Sequence, residues 1–237
     1  LPLYDGINWL QIGVDSTAQL IQPQVDNPRR MGKIVLYGTS IQQGGCASRT
    51  GMVPSAMIQR DFNLECVNLA TSGQARMDFY IAQAMASIDD AICYVIDPVP
   101  NCTKDRCDTA TYDFIKILRT LRPEVPIIMV EGLMYPYTRH DSYLAEYLPQ
   151  KNECFHNGYE LHKKENPKGL YYMTHDGQTG PEMEGTVDGV HLTDYGFRAY
   201  ADLLEIKIKE ALDKTKVKYG LKPAYNVVRK KTRAQRK

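Results

Sequence analysis

The chain has 237 residues, 43% apolar and 24% charged, the balance of a globular protein with material for one ordinary α/β domain or two small ones. No apolar run reaches the ~18 residues of a helical membrane span. The net charge of +1 hides an asymmetry: residues 216–237 carry nine Lys or Arg and no acid, leaving 20 basic against 28 acidic residues in the body before them. Such an acidic body argues against a nucleic-acid-binding surface on the main domain, and the tail reads as a solvated extension.

In chain order, Leu1–Gly6 and Leu10–Val14 read as two short strands, followed by a polar connector through Asn27-Pro28-Arg29-Arg30. The chain opens without a basic and apolar leader, as a mature form or an excised piece does, so this end is silent on compartment. From Lys33 the pattern becomes regular. Ile34-Val35-Leu36-Tyr37 reads as a strand buried on both faces, ending in Gly38-Thr39-Ser40. A helix follows with Pro54 at an early position, where its missing N–H costs little, and runs to about Phe62. A second strand spans 65–70, and Met77 to Ile88 has apolar residues at helical spacing. A third strand, 91–96, breaks at Asp97-Pro98-Val99-Pro100-Asn101. Tyr112 to Leu121 is an amphipathic helix stopped by Pro123. A fourth strand over 125–130, a loop with Tyr135 and Tyr137, a helix over 142–165 and a fifth strand over 170–173 complete the alternation. Thr193 caps a final helix reaching about Asp213. Five apolar strands alternating with helices predict an α/β fold, a three-layer α/β/α sandwich around a five-stranded parallel sheet.

Six cysteines are too few to frame a fold of this size. Cys93 and Cys66 read as core. Cys102 and Cys107 have a spacing open to a small loop disulfide or half a metal site. No second Cys/His pair at zinc-like spacing completes such a site, so no metal is expected.

Four loops leave the carboxyl ends of strands and crowd one rim, where open α/β sheets bind ligands. They carry Ser40, Gly73, Asn101, and Asp188 with His191. A serine hydroxyl is a weak nucleophile until a base takes its proton, and an imidazole suits that task. The imidazole needs an acceptor for its other N–H, which Asp188, three residues earlier, can supply. The backbone N–H groups of Ser40 and Gly73 and the carboxamide of Asn101 could together hold an oxyanion. Each residue alone has a plainer reading, as turn glycine, loop amide, turn aspartate or helix-start histidine. Together they supply complementary roles in the order Ser, Asp, His. The segment after Gly38 lacks the second glycine of a nucleophile elbow, and no Gly-x-Gly-x-x-Gly follows the first strand. An ordinary α/β-hydrolase and a dinucleotide-binding domain are thereby disfavoured.

On Ser40 in GTS, Gly73 in NLATSG, Asn101 in DPVPN, and Asp188 with His191 in DGVH, the sequence resembles the SGNH hydrolases, the GDSL esterase and lipase family, over about residues 31–213. The nearest look-alikes are bacterial members with GTS-I-x-Q-G-G and TVDG-(V/I)-H blocks and a small β-sandwich domain before the hydrolase. The resemblance implies a flavodoxin-like SGNH fold over 31–215, with 1–30 a remnant of that sandwich and 216–237 a basic tail. It implies a serine esterase acting through an acyl-serine on small carboxylic esters, with O-acetyl groups on carbohydrates as the case it suggests. Ser40, Asp188 and His191 would be catalytic, with Ser40, Gly73 and Asn101 as the oxyanion hole and no cofactor. Tyr135 and Tyr137 are candidates for a substrate-facing wall or for plain packing. A periplasmic or secreted location follows from the same resemblance. Two departures stand out: Thr39 replaces the usual aspartate, which bears on loop hydrogen bonding, and Asp97–Asn101 replaces Gly-x-Asn-Asp, which bears on how Asn101 approaches the oxyanion. Asn101-Cys102-Thr103 also matches a glycosylation sequon, discounted because the amide would lie in the cleft. The competing reading is a catalytically inactive carbohydrate-binding or scaffold protein on the same fold.

Overall fold

The apolar runs become five strands, β1 (Lys33–Gly38), β2 (Glu65–Asn68), β3 (Ala91–Asp97), β4 (Ile127–Val130) and β5 (Leu170–Met173). They pair in parallel in the order β2-β1-β3-β4-β5. The structure, a computed structural model, describes residues 2–21, 31–217 and Tyr219; residues 22–30 and nearly all of the basic tail lie outside the described residues. Successive side chains along β1, β3 and β4 alternate between two apolar cores, as the two-residue period of a strand requires. Val35, Tyr37, Tyr94 and Ile96 meet α3 (Phe79–Ala86), α4 (Lys104–Leu121) and α5 (Ser142–Glu165) on one face. Ile34, Leu36, Cys93 and Val95 meet α2 (Pro54–Phe62) and α6 (Asp194–Leu212) on the other. Covering both faces is what lets the strands be continuously apolar. The predicted three-layer α/β/α sandwich is the observed fold.

Several boundaries move, each for a local reason. α4 begins at Lys104 instead of Tyr112, with the Thr103 hydroxyl accepting from the Arg106 N–H as its cap. Its first two turns are polar by composition, yet Cys107, Ala110, Thr111 and Phe114 are buried at helical spacing. β2 stops at Asn68, whose side-chain oxygen accepts from the Ala70 N–H and turns the chain.

The two strands expected within residues 1–14 are absent from the described residues. Trp9, Leu10 and Ile12 are 74%, 68% and 77% exposed. A segment of strand-like composition forms no strand without a neighbour to accept its ladder. What this segment does reach is the rim: Gln43 donates through Nε2 to the Leu3 carbonyl, and the Tyr4 hydroxyl lies beside Gly45. The cysteine alternatives are also decided. No disulfide joins Cys102 to Cys107; Cys93, Cys102, Cys107 and Cys154 are buried, and the Cys102 thiol lies 3.8 Å from the Ala75 carbonyl oxygen.

Candidate active site

The chain leaves β1 for β2 on one side and returns to β3 on the other, which opens a crevice at the carboxyl ends of β1 and β3. Ser40 follows β1 and Asn101 follows β3, so both flank that crevice. Thr39 is buried and its hydroxyl accepts from the Ile41 N–H, capping a four-residue helix, α1 (Ser40–Gln43). The threonine thus serves the loop's hydrogen bonding, and it makes Ser40 the first helical residue. The N–H of such a residue has no acceptor within its own helix. Gly38 is required by close approach: a Cβ there would lie 2.6 Å from Gln42 Cβ and 3.0 Å from the Asp97 carbonyl.

Ser40 Oγ is 2.9 Å from His191 Nε2, and His191 Nδ1 is 2.7 Å from Asp188 Oδ2. The other carboxylate oxygen of Asp188 accepts from the backbone N–H groups of His191 (2.7 Å) and Val190 (2.9 Å). These hydrogen bonds, led by the one from the imidazole, hold the Asp188 carboxyl well below the usual carboxylate range. A charged carboxylate on Nδ1 fixes the neutral imidazole with its proton there, leaving the Nε2 lone pair for the serine proton.

A second imidazole–carboxylate pair stands on the same rim and was not anticipated. His175, after β5, approaches Glu131, after β4, with Nδ1 2.7 Å from Oε2, and its backbone N–H donates to the same oxygen. Gln178 donates to the Glu131 carbonyl, so the cluster ties the two loops together. The pair that meets the serine is Asp188–His191.

Gly73 has φ +72°, a conformation that favours glycine, and a Cβ there would meet nothing within 4 Å. The turn, not crowding by the protein, requires glycine. The hydrogen-bond network assigns the Asn101 carboxamide with its oxygen accepting from the N–H groups of Gly73 (3.1 Å) and Gln74 (3.3 Å). The Gly73 N–H, a candidate oxyanion donor, is therefore also engaged with Asn101. That bond orients the amide and leaves Nδ2 as its donor. Lys151, buried on α5, supports the same loop by donating to the Pro100 carbonyl at 3.2 Å.

Tyr135 and Tyr137 stack on each other with ring centroids 5.4 Å apart. The Tyr137 ring also lies against Gly189, where a Cβ would come within 2.5 Å of its Cδ1. The tyrosine pair thus borders the Asp188–His191 turn, and burial pushes the Tyr135 hydroxyl up to about 12.

Beneath Ser40, Asp97 is fully enclosed at the end of β3, and burial pushes its carboxyl up to about 8. The Tyr200 hydroxyl lies 2.8 Å from Asp97 Oδ2 and 3.0 Å from Gln42 Oε1. One hydroxyl hydrogen cannot serve two acceptors. Either Gln42, two residues after Ser40, turns its amide so that Nε2, otherwise without a partner, donates to Tyr200, or Asp97 carries a proton and donates to that hydroxyl. The native state keeps a proton that the unfolded chain loses near pH 4, so the contribution of Asp97 to stability falls as pH rises from about 4 to about 8 and is flat above. Asp97→Asn removes that titration. Thermal melts at about pH 5 and about pH 8 are expected to show the wild type losing more stability than the variant over this interval. Parallel losses would refute a raised Asp97 pKa.

The GDSL-like lipase/acylhydrolase family model matches residues 31–209. The chain belongs to this family. Among solved structures, a protein described as a GDSL-like lipase from Bacteroides ovatus is 33% identical with a TM-score of 0.76, over 83% of this chain and 56% of that one. A salicylyl-acyltransferase from a tetracycline biosynthetic pathway is 18% identical with a TM-score of 0.70, over 86% and 60%. A family two carbohydrate esterase from Clostridium thermocellum, solved with cellohexaose, is 18% identical with a TM-score of 0.58, over 77% and 65%. The last two likenesses concern the fold. This chain spans less than two thirds of the length of each of the three. No curated protein matches it at a significant level.

Proposed function

We propose that this GDSL-family chain is a serine esterase that hydrolyses small carboxylic esters, foremost O-acetyl groups on carbohydrates, through an acyl-serine intermediate. The observation that carries the reading is the unbroken run from Ser40 Oγ to His191 Nε2 and from His191 Nδ1 to Asp188 Oδ2.

In this reading Ser40 Oγ attacks the ester carbonyl carbon while His191 Nε2 takes its proton, and the carbonyl π pair moves onto oxygen. The oxyanion is held by the Ser40 N–H, by Asn101 Nδ2, and by the Gly73 N–H shared with Asn101. A donor of this kind is worth roughly 3 kcal/mol of transition-state stabilisation. Collapse expels the alcohol, which leaves with the proton from His191. A water molecule then repeats the attack on the acyl-serine, giving its proton to His191, and the acid departs as Ser40 is reprotonated. Asp188 stabilises the imidazolium in both halves. Tyr135 and Tyr137 form one wall for the alcohol half. None of these steps calls for a metal or an organic cofactor. The glycan preference is supported by the carbohydrate esterase of similar fold.

The test is release of acetate from a panel of acetylated oligosaccharides, alongside hydrolysis of p-nitrophenyl acetate. Turnover of the nitrophenyl ester and acetate release from the glycans are expected. No hydrolysis of any ester by the folded protein, with glycans still bound, would replace this reading with that of a binding module.

A further inference from the structure

Cys46 is the one exposed cysteine of the six, and it sits at the triad. Its sulfur, a carboxylate oxygen of Asp188 and a ring nitrogen of His191 all lie within 4.8 Å of one another. Around a tetrahedral zinc ion, with bonds of about 2.3 Å to sulfur and 2.0–2.2 Å to nitrogen and oxygen, ligand atoms stand roughly 3.3–3.6 Å apart. Cys46 therefore needs to close on the pair by up to about an ångström, a movement its exposed side chain can supply, while Asp188 Oδ2 and His191 Nδ1, 2.7 Å apart, open to ligand spacing.

The backbone holds the thiol in place. Cys46 has φ 70°, a region that residues other than glycine rarely adopt. The turn that imposes it is closed by the Gly45 N–H on the Ser40 carbonyl and the Ala47 N–H on the Gly44 carbonyl. Ser48 anchors the following loop to α6, donating its N–H to Asp194 at 3.0 Å and its hydroxyl to the same carboxylate. The nucleophile's own turn thus presents a soft ligand to the base and its partner.

We propose that Cys46, His191 and Asp188 form an inhibitory site for a thiophilic divalent cation, zinc being the type. On binding, the thiol proton passes to solvent and the thiolate, imidazole and carboxylate each donate a lone pair, with water in the fourth position. The cation takes Nδ1, the ring nitrogen that faces Asp188. The Nδ1 proton then moves to Nε2, which keeps no lone pair for the Ser40 proton. No spacing rule could point to this set, because residues 46, 188 and 191 meet only across the folded rim.

Occupancy of the site stands apart from the proposed esterase activity, whereas its inhibitory effect rests on that reading, so the test has separate arms. Zinc binding to the full chain is measured by equilibrium dialysis, and cadmium binding by its ultraviolet thiolate charge-transfer band. Both are repeated with Cys46→Ser, Cys46→Ala and His191→Ala. One equivalent is expected on the wild type, weakened roughly tenfold or more by each substitution, with the cadmium band lost from both Cys46 variants. Hydrolysis of p-nitrophenyl acetate, normalised to each protein's metal-free rate, is expected to fall with the same midpoint and to recover with a chelator. Cys46→Ser is expected to need at least about tenfold more zinc. Equal zinc affinities for wild type and both Cys46 variants, or no cadmium band in the wild type, overturn the proposal. No turnover by metal-free wild type overturns the esterase reading, and the binding arms still decide the site.

Discussion

Ser40→Ala is expected to lower kcat for p-nitrophenyl acetate by about a millionfold, the loss seen when a triad serine is removed elsewhere. The size follows from the role proposed for the hydroxyl: without Oγ no acyl-enzyme can form, and His191 can only assist water directly. The side chain is small and lies at the start of α1, and alanine fits a helix at least as well as serine. The fold is therefore expected to survive, so a thermal melt close to that of the parent separates lost chemistry from lost structure. A burst of nitrophenolate in the parent, equal to the enzyme concentration and absent from the variant, would report the acyl-serine directly. A variant that turns over as fast as the parent removes the covalent mechanism.

Asp188→Asn is expected to cost about 10⁴-fold in kcat, with KM little changed. The substitution keeps shape and removes charge. It also reverses a hydrogen bond, because an amide nitrogen facing His191 Nδ1 donates instead of accepting. The imidazole then carries its proton on Nε2 and has no lone pair for Ser40. The hydrogen bonds at Asp188 keep its carboxyl low, so it is charged throughout the range above the ordinary carboxylate value of about 4. The deficit should accordingly persist at every pH from about 5 to about 8. Kinetics of both proteins over that range, with chelator present, test this. A deficit under about tenfold would show that Asp188 does not set the tautomer.

Much of this arrangement was legible in the residues, for identifiable reasons. The sheet was, because strands buried on both faces must be apolar throughout, and the runs at Ile34, Cys93 and Ile127 have no competing helical period. The grouping of Ser40, Asp188 and His191 was, because few residue types perform proton transfer at neutral pH and the order Ser, Asp, His is one that such chemistry takes. The start of α4 was missed because Lys104, Asp105, Arg106, Asp108 and Thr109 make its first turns polar, leaving too few apolar positions to show the helical period. The strands near the amino terminus were misread because strand character in a sequence names a willingness to pair and is silent on the partner.

The amino-acid order alone thus determined the layered α/β architecture, the loops that carry Ser40, Gly73, Asn101, Asp188 and His191, and the chemical class they suggest. Only the tertiary structure decided which imidazole–carboxylate pair meets the serine, that the Gly73 N–H orients the Asn101 amide, that Asp97 and Gln42 share the Tyr200 hydroxyl, and that Cys46 stands beside Asp188 and His191. The division has a physical cause. Periodicity and turn chemistry act between residues a few positions apart, whereas a hydrogen bond or a shared cation reads distances in space, and residues 40 and 191 acquire theirs only when the sheet brings the ends of its strands together.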